Sequence, residues 1–252
     1  MGLSQNRWAF LIVLYELSPS QSSAFRAVIN RAPKNSLIIL YDNSSSCTSE
    51  KITDKRVLYQ HDMRNLGLAT AYNFAVKTSI DNGASWLTIL DQDTELSSNF
   101  FEQLKLALVT SHADCLIPKV QLPNGKKISP FFMENRLFVC ANRFNQKTLG
   151  AINSGCSINL GTLGSNKPIF DVNFQLDFLD YSFFKNLNDS HARIKIVDAK
   201  IVQHLSVANY RTMTVSRFRN FVKAEQTFVT MHYPSQIVLY RLRVTLRLLK
   251  CL

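Results

Sequence analysis

Residues 86–93 read Trp-Leu-Thr-Ile-Leu-Asp-Gln-Asp, an apolar run that stops abruptly in two carboxylates. A run apolar at nearly every position suits a strand buried on both faces of a parallel sheet. Side chains at i and i+2 of a strand point to the same side. Asp91 and Asp93 should therefore converge, and converging carboxylates are stable when a cation meets them. A hard divalent cation fits that demand and can in turn hold a diphosphate. The bland alternative is a polar strand end in which one Asp caps the next helix.

The surrounding pattern tells what kind of sheet this is. Residues 8–15 form a second continuous apolar run, followed by Ser18-Pro19, an N-cap with proline at the first helical position. A helix is expected from there to about residue 30. Residues 37–41 and 57–60 read as further strands. Residues 68–80 carry apolar and small side chains at helical spacing, and Asp81-Asn82-Gly83 stops them. An amphipathic helix is expected over 99–109. Strands alternating with helices of this length indicate an α/β fold, a Rossmann-like, mostly parallel sheet flanked by helices. Ligands of such sheets bind beyond the carboxyl ends of the strands. Three strands end there in polar residues: Tyr15-Glu16, Asp42-Asn43-Ser44 and Asp91-Gln92-Asp93.

The second half is less regular. Residues 116–120 and 138–143 read as strands around a Pro123-Asn124-Gly125 turn. Residues 151–164, rich in Gly, Ser and Asn, are expected to line the site. Residues 177–187 read as a loop entering a helix, 194–197 and 200–204 as strands, and 215–230 and 235–250 as helices. No internal repeat or low-complexity linker is present.

Composition narrows the partners. The 252 residues are 46% hydrophobic, enough for a sizeable core. Five scattered cysteines without a C-x-x-C pair suit a reducing cytosol and argue against a disulfide framework or structural zinc. No run of 18 apolar residues predicts a spanning helix. Arg7 and the apolar run after it could pass for a weak signal peptide, but a first buried strand accounts for them better. The net charge of +11 calls for an anionic partner: nucleic acid, anionic lipid or a phosphorylated substrate. From His204 to Leu252, Arg and Lys outnumber acidic residues eight to one, so the charge belongs to the C-terminal fifth.

The order of signals resembles the family 2 glycosyltransferases of the GT-A fold, and among them the rhamnosyltransferase-type enzymes of bacterial surface-polysaccharide assembly. The matching stretches are residues 10–15, 37–46 (LIILYDNSSS), 65–75 (NLGLATAYNFA), 87–94 (LTILDQDT), Asn153-Ser154-Gly155 and 176–184 (LDFLDYSFF). Together they span most of residues 8–205.

The resemblance implies an inverting, metal-dependent transfer from a nucleotide-diphosphate sugar, with dTDP-rhamnose as donor and a UDP-hexose such as UDP-galactose as the alternative. It places Tyr15, Glu16, Asp42, Asn65, Gly67, Asp91, Gln92 and Asp93 at the donor. Asp91 and Asp93 would hold Mn2+ or Mg2+, with His204 as a further ligand. Asp180 would be the general base, with Asp177, Ser154 and Gly155 at the acceptor. Local structure offers other readings: Asp42-Asn43-Ser44 is good turn chemistry, Asn65-x-Gly67 a helix entry that also favours phosphate, Asp180 a helix cap, and His204 an ordinary strand end. The chain departs from the family pattern at Glu16, where Asn is usual, and at Ser182 and Asn186, where an acidic residue and an Arg are common. His61, His112, His191 and His232 have no comparable context.

The chain is thus expected to divide into a catalytic domain, 1–205, with a nucleotide-sugar half at 1–110 and an acceptor half at 111–205, and a basic helical extension, 206–252. In the extension Arg243, Arg247 and Lys250 share one helix face, while Ile237, Val238, Leu242, Leu246, Leu248 and Leu249 form an apolar arc interrupted by Arg241. That pattern is read as an interfacial helix on anionic lipid; the bland alternative is a helix that docks on the domain and shows its basic face to water. Lipid contact suits an undecaprenyl-diphosphate-linked acceptor of O-antigen or capsule synthesis, handled at the cytoplasmic face of the cell membrane. Nucleic acid is not expected, because no recognition motif accompanies the charge. The rival classes are a nucleotidyltransferase, against which the Glu16-Leu17-Ser18-Pro19 turn argues, and a non-catalytic nucleotide-binding or membrane adaptor.

Overall fold

The structure, a computed structural model, describes residues 7–48, 50–134, 147–164, 167–203 and 214–251, except for the side chains of 243 and 246–251. The alternation expected of the first half is present. Strands β1 (Arg7–Leu14), β2 (Leu37–Asp42), β3 (Val57–His61) and β4 (Ala84–Asp91) lie parallel in the order β3-β2-β1-β4. Helices α1 (Ser23–Arg31), α2 (Leu68–Asp81) and α3 (Phe100–Thr110) connect or follow them. Along β1, Ala9, Leu11 and Val13 pack into one hydrophobic layer, and Trp8, Phe10, Ile12 and Leu14 into the other. A side chain such as Phe10 or Leu11, fully buried, contributes about 1.5–3 kcal/mol. The strand is apolar throughout because helices cover both its faces.

The sheet continues as β4-β10-β6-β11-β5 through β5 (Glu95–Leu96), β6 (Cys115–Gln121), β10 (Ser157–Asn159) and β11 (Ile194–Val202). Strand β7 (Lys127–Ser129) pairs with β6, and β8 (Phe131–Phe132) pairs with β9 (Leu149–Gly150) in a separate ladder. Strand β10 runs antiparallel to both β4 and β6, so the residues just before it reach the carboxyl end of β4. Helix α4 (Leu160–Leu163) follows β10, and α5 (Leu179–Asp189) precedes β11. Two helices close the chain: α6 (Val215–His232) and α7 (Ile237–Cys251).

Several local expectations are corrected. Ser18-Pro19 opens a short 3-10 turn, and α1 starts later, with Ser22 Oγ accepting from Phe25 N–H at 3.1 Å. The turn at Gly125 leads from β6 into β7; the strand expected at 138–143 lies outside the described residues. In place of the two strands expected over 194–204, one strand, β11, covers Ile194–Val202 and shifts register between Ile196 and Lys200; residue 204 lies outside the described residues. Helix α5 is capped by Phe178, at φ 62°, so Asp180 stands in its first turn instead of capping it.

The C-terminal helices dock on the domain. Phe228, Val229 and Tyr240 belong to the same hydrophobic layer as Leu11 and Tyr72. Phe228 meets Phe174, Phe178 and Tyr181 at ring-centroid distances of 6.2, 5.6 and 5.8 Å. Helix α7 nonetheless shows Val238, Leu239 and Leu242 to solvent beside exposed Arg241. Among the described residues no helix is long and apolar enough to cross a membrane.

Candidate active site

Strand β4 ends at Asp91, and a turn carries the chain through Gln92 and Asp93 to Thr94. The two carboxylates meet at one donor: Gln203 Nε2 lies 2.8 Å from Asp91 Oδ2 and 3.2 Å from Asp93 Oδ1. Burial and the charge of Asp93 push the Asp91 carboxyl up to about 7, partly opposed by the hydrogen bond from Gln203. Such a rise signals a carboxylate in a poorly solvated place beside a like charge. Hard, anionic oxygen donors in that state fit a divalent cation of the Mg2+ or Mn2+ type. Among the described residues no cluster of three or more potential ligands exists, so the protein donors described amount to this pair. His204, expected as a third, lies outside the described residues.

Asp180 faces the same region. The phenol of Tyr72, fully buried on α2, is pushed up first by desolvation and then by the charges of Asp91 and Asp180. The buried thiol of Cys156 is pushed up first by desolvation, then by neighbouring Cys115, and after it by Asp180 and Asp91. Both carboxylates therefore act electrostatically on the same two side chains. The fold brings Asp91, at the end of β4, and Asp180, in the first turn of α5, to one side of the sheet.

The remaining expected residues occupy distinct positions. Tyr15 is half exposed just past β1, and the Gln92 amide clasps its backbone: Oε1 accepts from Tyr15 N–H at 2.8 Å and Nε2 donates to Tyr15 O at 3.3 Å. Gln92 is thus partly engaged in joining the ends of β1 and β4. Glu16, at φ 49°, accepts from Ser45 N–H at 2.8 Å, which holds its carboxyl below the usual range. Asp42 is buried, accepting from Ser44 N–H at 2.9 Å and Tyr59 Oη at 2.6 Å, so it both makes the turn and lies at the sheet edge. Asn65, at φ 44°, belongs to the turn between β3 and α2. Gly67 caps α2 at φ 90°, and its neighbour Leu68 donates its N–H to Gln175 O at 2.6 Å. A Cβ on Gly67 would stand 2.6–2.8 Å from the Gln175 backbone and Cβ, so only glycine allows this approach.

Ser154 and Gly155, expected at the acceptor, lie just before β10, alongside the end of β4. Ser154 Oγ accepts from Asp91 N–H at 3.0 Å and contacts Thr94 Oγ1 at 2.7 Å, which supports Asp91 directly. Gly155 packs on Pro118 and donates its N–H to Ile89 O at 2.7 Å. Asp177 is gripped by Arg217 of α6 through two hydrogen bonds, one of them 2.7 Å, which ties α6 to the segment leading into α5.

Sequence reasoning missed Gln203 and Thr94 and the tether made by Arg217. It named the Asn153-Ser154-Gly155 string without a role for Asn153, whose buried amide has no hydrogen-bond partner among the described residues. It also missed the Asp62 carboxylate at the end of β3. Arg64 donates to both its oxygens at 2.7 Å and Tyr41 Oη to one at 2.9 Å. Arg64 first, then Tyr41, holds the Asp62 carboxyl far below its usual range, while burial and Asp62 push Tyr41 up to about 12. Gln203 was visible only as a polar residue at a strand end; nothing local announced its partners.

A family model described as Glycosyl transferase family 2 matches residues 19–161. The chain belongs to glycosyl transferase family 2. The matched span of this family 2 chain holds Asp42, Asn65, Gly67, Asp91, Gln92, Asp93, Ser154 and Gly155; Tyr15, Glu16, Asp177, Asp180 and His204 fall outside it. No curated protein matches the sequence. Among solved structures, GalNAc-T7 with UDP, GalNAc and Mn2+ superposes at TM-score 0.56 and 16% identity, over 88% of this chain and 48% of that one. S. aureus TarS superposes at TM-score 0.56 and 14% identity, over 90% of this chain and 40% of that one. TarS 1–349 with UDP-GlcNAc gives 0.56 and 12%, over 90% and 67%. These likenesses concern the fold, which is GT-A. The chain spans less than half the length of the first two.

Proposed function

We propose that the chain is an inverting glycosyltransferase that moves a sugar from a nucleotide-diphosphate donor to an acceptor hydroxyl. The observation that carries this is the convergence of Asp91 and Asp93 on one point at the end of β4, with Asp180 acting on the same buried Tyr72 and Cys156.

In this reading Asp91 and Asp93, with His204 as a further candidate, hold Mn2+ or Mg2+, which offsets the charge on the leaving diphosphate. Tyr15, Glu16, Asp42, Asn65 and Gly67 border the nucleotide at the carboxyl edge of β1 and β2 and the start of α2. Asp180 accepts the proton of the acceptor hydroxyl. The oxygen then bonds to the anomeric carbon from the face opposite the phosphate, and the electron pair of the broken C–O bond leaves with the nucleoside diphosphate. Asp177, engaged by Arg217, holds the entrance of α5 and so helps aim Asp180.

The resemblance favours dTDP-rhamnose; the UDP, UDP-GlcNAc and Mn2+ of the structural neighbours support a UDP-sugar as the second reading. The acceptor proposed is a lipid-linked glycan of surface-polysaccharide synthesis. The solvent-facing Val238, Leu239 and Leu242 beside Arg241, on a helix without acidic residues, support contact of segment 206–252 with anionic lipid.

Nucleoside diphosphate release is measured with a panel of dTDP- and UDP-sugars and lipid-linked acceptor, with and without Mn2+ or Mg2+. Transfer should require the cation and vanish in Asp93→Ala and Asp180→Ala, while Asp180→Ala still binds donor. Full transfer by Asp180→Ala removes it as the base, and transfer indifferent to metal removes the cation.

A further inference from the structure

Gln203 follows β11 and is buried, with its N–H bonded to Gln121 O at 3.0 Å. Its amide is polarised by its surroundings. Nε2 donates to Asp91 Oδ2 and Asp93 Oδ1, while Oε1 accepts from Thr94 Oγ1 at 2.9 Å. An amide oxygen cannot donate, so the single hydroxyl proton of Thr94 points at Gln203. The 2.7 Å contact between Thr94 and Ser154 then uses the proton of Ser154, whose Oγ also receives the Asp91 N–H. The bonds close a ring from the Asp91 backbone through Ser154, Thr94 and Gln203 back to the Asp91 carboxylate. Turning the amide over would set its oxygen against two carboxylate oxygens, acceptor against acceptor.

We propose that Gln203 is a positioning residue for the Asp91–Asp93 pair; this rests on the reading that the pair holds a divalent cation. By holding one oxygen of each carboxylate, the amide fixes the rotation of both groups and hence where their other oxygens stand. A neutral donor does this without cancelling the charge. Lys or Arg at this place would neutralise the pair and take the position of the cation, whereas an amide orients the ligands and leaves their negative charge for the metal. Groups that orient ligating carboxylates in this way are worth about 10–100-fold in metal affinity.

The test is Mn2+ binding to the full chain, read from the electron paramagnetic resonance signal of the free ion, alongside melting temperature. Gln203→Leu, which keeps the bulk and removes the amide, should bind Mn2+ about 10–100-fold more weakly without unfolding. In turnover it should raise the Mn2+ concentration for half-maximal rate more than it lowers kcat at saturating metal. Thr94→Val, which releases Oε1, should weaken Mn2+ in the same direction by a smaller factor, and it decides the question if Gln203→Leu does not fold. Asp93→Ala is the control and should lose the site. Mn2+ affinity left unchanged in both Gln203→Leu and Thr94→Val, with Asp93→Ala dead, overturns the role of Gln203 and spares the cation reading. An unmodified chain that binds no Mn2+, or an Asp93→Ala variant that binds it fully, overturns both.

Discussion

Gly67→Ala probes the contact that joins the two halves of the site. Gly67 stands at φ 90° and ψ 176°, a region almost reserved for glycine, and an L-residue there costs about 1–3 kcal/mol. The added methyl would also sit 2.6 Å from Gln175 O and 2.8 Å from Gln175 Cα, backbone atoms that cannot swing aside. Forced movement of a packed segment costs about another 1–3 kcal/mol. The 2.6 Å bond from Leu68 N–H to Gln175 O would be stretched, at about 1 kcal/mol. A loss of about 4 kcal/mol is expected, which for a chain of this size lowers Tm by roughly 8–16 °C. Gly83→Ala is the matched comparison. Gly83 also has positive φ, at 70°, but nothing lies within 4 Å of its Cβ position, so it should lose only about 1–2 kcal/mol. Urea unfolding of the two variants and the parent measures the difference directly. Below the melting range Gly67→Ala should also turn over more slowly, because Gln175 lies just upstream of Asp177 and Asp180. If Gly67→Ala loses no more stability than Gly83→Ala, the approach of α2 to Gln175 is not the constraint argued here.

Three further outcomes follow from particular contacts. Asn153→Leu removes a buried amide without a partner among the described residues, so it should gain about 1–2 kcal/mol in urea unfolding; lower stability would show that the amide is already satisfied. Asp114, which accepts from Arg193 Nε at 3.1 Å and Nη2 at 3.0 Å, is held down from 3.8 to about 2, mainly by that arginine. Its contribution is therefore complete above pH 4 and fades as pH falls toward 2; with Arg193 60% exposed it amounts to roughly 1 kcal/mol, and Asp114→Asn should flatten that part of the stability profile measured by urea unfolding. Replacing exposed Val238 and Leu242 by Ser should reduce co-sedimentation with anionic vesicles while leaving Tm unchanged, since neither is buried; undiminished sedimentation counts against lipid contact through α7.

Much of the site was readable before any coordinates. Continuous apolar runs and turn residues are local signals, and they located β1, β2 and β4 to within a residue or so, with Asp42 and Asp91 at their carboxyl ends. The same local signals misplaced the cap of α1 and split β11, because Ser18 and Ser22 are equally good caps and a register shift looks like a strand break. They also gave no sign that Arg217 holds Asp177.

The sequence by itself thus determined the sheet type, the strands β1, β2 and β4, and the acidic residues Asp42 and Asp91 at the carboxyl ends of two of them. Only the tertiary structure decided how those residues are held: Gln203 on Asp91 and Asp93, Ser154 beneath Asp91, Gln175 against Gly67 and Arg217 on Asp177. The physical reason is range. Periodicity and turn chemistry act between near neighbours in the chain, whereas a side-chain amide finds its carboxylates only after β10 enters between β4 and β6 and β11 packs on β6.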